Sequence, residues 1–261
     1  MCNRLMDRRK LIRGLAAGSV IAFAGATSGC TQSEMLGRDQ LLLVSNDQLA
    51  QLAAGTWKRT LDQEGVVNNR AYDERLTRVA GRIVTAAGRG DESWEFAVIQ
   101  DDSLNAFALP GNKIGVNGGM MDFVQNDDQL AAIIGHEIAH VAAQHSAERY
   151  SQQMVSQIGM NVASAAMAAS NTPAANEIAA VLGAGLNFGV ILPYSRRHEL
   201  EADSLGVQYM ARAGYDPREA IAFWRRMTEE QGRSQQPEFM STHPADQTRI
   251  DNLQEQIRRL G

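Results

Sequence analysis

The 261-residue sequence is poor in cysteine, in long apolar runs and in positive charge. It has no stretch of about 20 uninterrupted apolar residues, the length that a membrane-spanning helix needs, which argues against a protein with several spans. The net charge of −5 offers no electrostatic attraction for nucleic acid. Hydrophobic residues make up 44% of the chain, with 23 Gly and 6 Pro, which is typical of a globular protein and excludes a disordered or collagen-like one.

The N-terminal residues 1–29 carry a net positive charge, with five basic side chains and one acidic one, in front of an acidic remainder. A basic head precedes the weakly apolar segment Gly14–Gly29, which predicts a signal peptide over residues 1–29. Thr27-Ser28-Gly29-Cys30 resembles the lipobox of bacterial lipoproteins and predicts lipidation of Cys30, although Thr27 stands where Leu is usual. Arg8-Arg9 also resembles a twin-arginine export signal, with an ordinary basic segment as the alternative. Cys2 would be removed with the signal peptide and Cys30 would be lipidated, so neither cysteine remains for a thiol nucleophile or a cysteine metal site.

The rest of the chain predicts one mainly α-helical α+β domain. We expect a lipidated tether over residues 30–45 and a single domain over 46–261, with no internal repeat. Apolar periodicity and capping residues predict most helices, and short alternating runs predict strands around the turn Pro110-Gly111-Asn112. The segment 161–192 could instead form a membrane-dipping hairpin, but its polar residues favour packed helices. The predicted helices are 46–65, 71–87, 126–150, 151–169, 174–190, 196–213, 217–231 and 244–260, and the predicted strands are 94–99, 107–109 and 113–116.

The pentapeptide His136-Glu137-Ile138-Ala139-His140 carries the strongest chemical signal. On a helix, residues four apart project from the same face, so both imidazoles can reach one zinc ion. Glu137 lies beside that ion and can accept a proton from water and pass it to a leaving amine. The alternative is a chance match on an amphipathic helix, but the apolar flanks predict a buried helix whose polar groups need partners.

A third zinc ligand must come from another segment, and the sequence offers two candidates. Glu199 and Asp203 share a helical face, so one could bind the metal while the other hydrogen-bonds a ligand imidazole. His198 is the rival ligand. His145 lies five residues beyond His140, about 140° around a continuous helix, and is predicted to be a surface or second-shell histidine.

Further segments follow one another along the chain in a characteristic order: Asn105-Ala106-Phe107-Ala108-Leu109-Pro110-Gly111, the helix from Leu130 to His145, Tyr194-Ser195-Arg196 through Glu199-Leu200-Glu201-Ala202-Asp203, Ser241-Thr242-His243-Pro244, and Arg249-Ile250. In this order they resemble the gluzincin family that contains HtpX, the CAAX prenyl proteases and the LoiP-like periplasmic lipoprotein proteases. The resemblance covers about residues 41–255, far more than the short zinc motif.

The resemblance implies a zincin-like fold with a small β-sheet beside the zinc-binding helix, and one zinc ion per chain. It implies that Glu199 is the third ligand beside His136 and His140, with Asp203 as the adjacent acid. It implies a role for His243 near zinc, either stabilising the tetrahedral intermediate or closing the open metal position. It also makes Asn105-Ala106-Phe107 a substrate-binding edge strand, where the alternative is a buried core hairpin.

The family also suggests where the protein acts and on what. The sequence lacks the spanning helices of HtpX and the prenyl proteases, which favours the lipid-tethered branch at the periplasmic face of a bacterial membrane. Thr31 after Cys30 favours the outer membrane. Expected substrates are unfolded or misassembled envelope proteins, with an assembly machinery as a further partner. The main alternative is a chaperone-like assembly factor whose zinc site is closed by His243, and a structural zinc protein ranks last.

Overall fold

The computed structural model describes residues 30–169, 194–231, 237–244 and 246–260, with the side chains of 158–169 left undescribed. The predicted signal peptide and the predicted helix over 174–190 lie outside the described residues, as does most of the proposed membrane-dipping hairpin. Within the described ranges, no helix combines the length and the apolar character needed to cross a bilayer.

The described chain is mainly helical, as predicted, with two small sheets. The strands are β1 (Cys30–Ser33), β2 (Arg38–Leu41), β3 (Glu95–Ile99), β4 (Ala106–Leu109) and β5 (Lys113–Asn117). The helices are α1 (Asn46–Glu64), α2 (Arg70–Ala86), α3 (Gly118–Phe123), α4 (Asp127–Ala142), α5 (His145–Ala169), α6 (Arg196–Arg212), α7 (Arg218–Gln231), α8 (Glu238–Thr242) and α9 (Gln247–Leu260).

A three-stranded sheet in the order β3-β5-β4 lies between α1 and the main core. β3 pairs with β5 in parallel and β4 pairs with β5 antiparallel, so β4 is an edge strand. On one face, Trp57 of α1 packs with Ala97 and Ile99. On the other, Val98 and Ile114 join the main core, which is built around α2, α4, α6 and α7. The sheet therefore presents its β4 edge beside α4.

Helices α4 and α6 approach each other at two glycines. A Cβ atom on Gly135 would lie 3.1 Å from the carbonyl oxygen of Gly206, and one on Gly206 would lie 3.1 Å from the backbone nitrogen of His136. Both distances are tighter than ordinary van der Waals contact. Because neither residue has a side chain, the two backbones can touch at this point and bring the residues of both helices together.

The structure corrects one predicted helix. The predicted helix over 126–150 ends at Ala142, and α5 begins at His145 in a new direction. Gln144 between them has φ 55°, in the left-handed region, which breaks the helix. This position is normally signalled by glycine or asparagine, so the break has no clear mark in the sequence. The short helices α3 and α8 are likewise absent from the sequence prediction.

The structure also differs from the tether predicted over residues 30–45. Residues 30–41 form an antiparallel hairpin in which Cys30 pairs with Leu41 and Ser33 with Arg38. Gln40 is buried, and its amide donates hydrogen bonds to the carbonyl oxygen of Ala143 and to Glu148. The hairpin is thus packed against the start of α5. Lipidation of Cys30 remains a prediction.

Candidate active site

Helix α4 carries the histidine-glutamate motif through the middle of the protein. It starts at the N-cap Asn126, whose side chain accepts a hydrogen bond from the backbone N–H of Gln129. Every residue from Gln129 to His140 is buried. A helix that is buried on all sides needs partners for its polar side chains, and His136, Glu137 and His140 are the charged or ionisable groups it buries.

Four buried side chains converge in one cluster: His136, His140, Glu199 and His243. Their donor atoms all lie within 4.8 Å of one another, close enough to hold one metal ion. The Nε2 atoms of His136 and His140 are 3.0 Å apart, and the carboxylate of Glu199 lies 3.3 Å from the first and 3.4 Å from the second. Nδ1 of His243 is 3.1 Å from the same carboxylate.

The chemistry of this cluster fits zinc. Imidazole nitrogens and a carboxylate are ligands that zinc takes in catalytic sites. Oε2 of Glu199 lies 3.3 Å from Nε2 of His136 and 2.8 Å from the guanidinium of Arg249, so the carboxylate faces the imidazoles on one side and its arginine counter-ion on the other. Burial lowers the pKa of His140 and so favours the neutral imidazole that a metal requires. Burial raises the pKa of Glu199, but the charges of His243, His136 and Arg249 outweigh it and hold the pKa well below its usual value.

Asp203 and Arg249 lie directly behind the cluster. Oδ1 of Asp203 is 2.9 Å from Nδ1 of His136, the nitrogen that faces away from Glu199. The guanidinium of Arg249 lies 2.7 Å from Asp203 and 2.8 Å from Glu199. The sequence predicts Asp203 at this place but gives Arg249 no role, because a lone arginine in the C-terminal helix has no local pattern that predicts a buried ion pair.

Glu137 lies beside the four-residue cluster with its two oxygens in different surroundings. Oε2 accepts a hydrogen bond of 2.9 Å from the backbone N–H of Ala108 in β4. Oε1 makes no hydrogen bond to any described residue and lies 3.3 Å from Nε2 of His243. Burial raises the pKa of the carboxyl group. One oxygen is therefore anchored, and the other faces the cluster.

The predicted substrate strand lies at the free edge of the sheet, but its three residues differ in orientation. The carbonyl oxygen of Asn105 accepts a hydrogen bond from Asn117, so Asn105 faces β5. By the alternation of an antiparallel pair, the backbone groups of Ala106 and Ala108 point to the open side. The ring of Phe107 covers Gly115 and meets Trp57 edge-on at 6.3 Å, so this side chain packs against the sheet.

The two remaining histidines of the sequence lie together beyond His140. His145 is fully buried, so the surface alternative is wrong, and its Nδ1 lies 2.9 Å from Nδ1 of His140. The helix break before α5 turns it back toward α4, which a continuous helix would not do. His198 stacks on His145 with ring centroids 4.5 Å apart and faces Glu148, away from the four-residue cluster. Geometry therefore favours Glu199 over His198.

Tyr194 covers one side of the site. Its ring stacks on His140 with centroids 3.9 Å apart and on His243 at 5.4 Å. Its hydroxyl lies 3.0 Å from Oγ of Ser146. The sequence matches this tyrosine to the family pattern but gives no reason to place it on a metal-binding imidazole.

A helix that carries two histidines and a glutamate, joined by a glutamate from a second helix and bordered by a small sheet, defines a zincin-like metallopeptidase fold. The family model of peptidase family M48 matches residues 70–257, and the chain belongs to this family. The narrower assignment to the lipoprotein branch remains a prediction.

Relatives include two proteins described as mitochondrial metalloendopeptidase OMA1. That of Schizosaccharomyces pombe is 35% identical over 217 residues, covering 81% of this chain and 62% of the relative. That of Saccharomyces cerevisiae is 34% identical over 214 residues, covering 76% and 59%. The beta-barrel assembly-enhancing protease of Escherichia coli is 26% identical over 200 residues, covering 75% and 41%. The chain thus spans only part of each of these relatives.

Proposed function

We propose that the protein is a zinc-dependent endopeptidase. The observation that supports this most strongly is the placement of Glu137 next to a buried set of metal-binding side chains. His136, His140 and Glu199 would hold the ion, and Asp203 would fix the ring of His136 through its Nδ1. A purely structural zinc site would have no use for an additional carboxylate that points at the cluster without being needed as a ligand.

When bound, zinc supplies a Lewis acid that polarises the scissile carbonyl and makes water a better nucleophile. The remaining work falls to the chain's own groups. Glu137 takes the proton of the attacking water on Oε1, while the Ala108 N–H holds Oε2 in place. Because burial raises its pKa, the protonated carboxyl can then donate the proton to the leaving amine. The backbone groups of Ala106 and the carbonyl oxygen of Ala108 would align an extended substrate, because the Ala108 N–H is already bonded to Glu137.

The test compares the full chain with Glu137→Gln for casein degradation and bound zinc. We expect about one zinc per chain in both proteins and cleavage by the parent only, with a loss of at least about 100-fold in the variant, since general acid–base catalysis contributes on that order. A parent that binds no zinc would contradict the zinc site. Equal cleavage by both proteins would contradict the role of Glu137.

A second candidate follows from His243, which takes a place in the same cluster. It is buried, it lies within reach of both Glu199 and Glu137, and Tyr194 stacks on it. A protein ligand in the fourth position closes a zinc site. On this account the protein is an envelope assembly factor with a latent site, and His243→Ala gains peptidase activity. If His243 instead stabilises the oxyanion, the same substitution lowers activity without lowering zinc content.

The cellular setting forms part of the proposal. We place the protein at the periplasmic face of a bacterial membrane, held by a lipid on Cys30, with the outer membrane favoured. Its substrates would be unfolded or misassembled envelope proteins and its partners an assembly machinery, by analogy with the relative named for β-barrel assembly. Mass spectrometry of the protein from membranes, compared with Cys30→Ala, tests this. An unmodified Cys30 in the membrane fraction would contradict it.

A further inference from the structure

The two metal-binding histidines of helix α4 are supported in different ways. His136 meets a carboxylate directly, since its Nδ1 lies 2.9 Å from Asp203. His140 meets another imidazole, since its Nδ1 lies 2.9 Å from Nδ1 of His145. The far side of that imidazole, Nε2, lies 3.1 Å from Oε2 of Glu201. A carboxylate therefore supports each metal-binding histidine: Asp203 contacts His136 directly, whereas the imidazole of His145 lies between His140 and Glu201.

The order of these contacts decides where the protons lie. A carboxylate only accepts hydrogen bonds, so Nε2 of His145 must carry the proton toward Glu201. In the neutral ring Nδ1 is then an acceptor, and Nδ1 of His140 must be the donor. This leaves the lone pair of His140 on Nε2, the atom that lies 3.4 Å from Glu199 inside the metal cluster. One carboxylate thus selects the tautomer of two consecutive imidazoles.

Glu201 is itself held by the N-terminal hairpin. Arg38 of β2 binds Glu201 at 2.6 Å and Glu148 at 2.8 Å, so it is shared between two carboxylates. Glu201 touches His145, whereas Glu148 faces His198. The two glutamates therefore form a matched pair: each accepts two hydrogen bonds from Arg38, and only Glu201 also contacts His145, the ring behind His140.

We propose that Glu201, acting through His145, is a positioning residue that fixes the tautomer and ring orientation of the zinc ligand His140. Arg38 brings the hairpin of residues 30–41 into this arrangement by orienting Glu201. The inference rests on the proposed zinc site and deepens it. It also assigns a function to the hairpin, which the sequence predicted to be a tether.

The test measures zinc affinity of the full chain by competition with a chromogenic chelator, for the parent, Glu201→Gln and Glu148→Gln. Outer-shell partners of zinc ligands change metal affinity by about 10- to 100-fold. With one imidazole interposed, we expect about a 5- to 10-fold loss for Glu201→Gln and less than about 2-fold for Glu148→Gln. The urea midpoint of each zinc-free variant shows separately how much stability the lost ion pair contributed.

Equal losses of affinity in the two variants, or none in Glu201→Gln, would overturn the inference while leaving the zinc site in place. A parent that binds no zinc would overturn the proposed function as well, so the two failures are distinguishable.

A second measurement needs no variant. The ¹⁵N shifts of the zinc-loaded parent, labelled at histidine, report the tautomer of each ring. We expect the proton of His145 on Nε2 and that of His140 on Nδ1. A proton on Nδ1 of His145 would overturn the inference whatever the variants show.

Discussion

Two arginines, Arg249 buried and Arg38 partly buried, stand behind the two metal-binding histidines, and they come from opposite ends of the described chain. Arg249 of α9 binds Asp203 and Glu199, and its guanidinium lies over the ring of Trp224 at 3.9 Å. Arg38 of the N-terminal hairpin binds Glu201 and Glu148. Each arginine is shared by two carboxylates, so the two arrangements are chemically alike.

The two arrangements differ in how deeply the arginine and its carboxylate partners are buried. The side chains of Arg249, Asp203 and Glu199 are at most 2% exposed, whereas that of Arg38 is 8% and that of Glu201 is 17% exposed. A charge left unpaired in a dry interior costs far more than one that water can reach. The Arg249 side also contacts a cluster residue directly, while the Arg38 side acts across His145. The same ion-pair chemistry therefore forms part of the structural core at Arg249 and a more solvent-accessible support at Arg38.

Replacing Arg249 should destabilise the protein strongly, and replacing Arg38 should destabilise it less. Arg249→Met leaves the two buried carboxylates of Asp203 and Glu199 without their arginine counter-ion and is expected to lower the free energy of unfolding by about 3–5 kcal/mol. Arg38→Met leaves carboxylates nearer to solvent and is expected to cost about 1–2 kcal/mol. Urea unfolding of the zinc-free proteins measures both. A loss of stability for Arg38→Met that equals or exceeds that for Arg249→Met would contradict the expected effect of burial.

Zinc affinity should distinguish the direct contact of Asp203 with His136 from the contact of Glu201 with His140 through His145. Asp203 touches its histidine without an intermediate, so Asp203→Asn is expected to lower zinc affinity by about 10- to 100-fold, more than Glu201→Gln does. Chelator competition at a fixed pH gives both values. A larger loss of zinc affinity for Glu201→Gln than for Asp203→Asn would contradict the expectation that the direct contact matters more than the relayed one.

The smallest effect concerns acid stability. Burial raises the pKa of Glu201, but hydrogen bonds from His145 and Arg38 outweigh burial and lower it to about 2. Its contribution to stability is therefore present above the unfolded-state pKa and is lost as the pH falls from about 4.5 toward 2. Glu201→Gln should lose stability less steeply over that interval, moving the acid midpoint of the zinc-free protein by about 0.2–0.5 pH unit relative to an otherwise matched curve.

The exposed substitution Asp62→Asn, in a solvent-accessible pair with Lys58, controls for the change in net charge. A steeper acid loss in Glu201→Gln than in the parent would contradict the sign of the expected effect.

The part of the site that depends on local spacing could be predicted from the sequence. His136 and His140 are one helical turn apart, and so are Glu199 and Asp203, so helical periodicity alone places each pair on one face. The mainly helical α+β class and most helices follow from periodicity in the same way. Family resemblance is what mainly separates Glu199 from His198 in the sequence, and the structure supplies the geometric reason.

The parts that depend on a single irregular residue or on distant pairing could not be predicted. The position of His145 depends on Gln144 adopting a left-handed backbone conformation, which glutamine rarely signals. Arg38 reaches Glu201 across 163 residues of sequence through a short hairpin with little apolar patterning. Such contacts are set by tertiary packing, and no local pattern records them.

The contact between Gly135 and Gly206 has a mechanical consequence for the metal cluster. Gly135 precedes His136, so the crossing point lies at the first ligand, while Glu199 stands on α6 about 10 Å from Gly206 at 1.5 Å per residue. Helix α6 would therefore pivot about this backbone contact. A tilt of α6 by about 5° at this contact would move the carboxylate of Glu199 by about 1 Å, about half the length of a zinc–oxygen bond. A single methyl group at either glycine would therefore displace the third ligand, although neither glycine itself binds the metal.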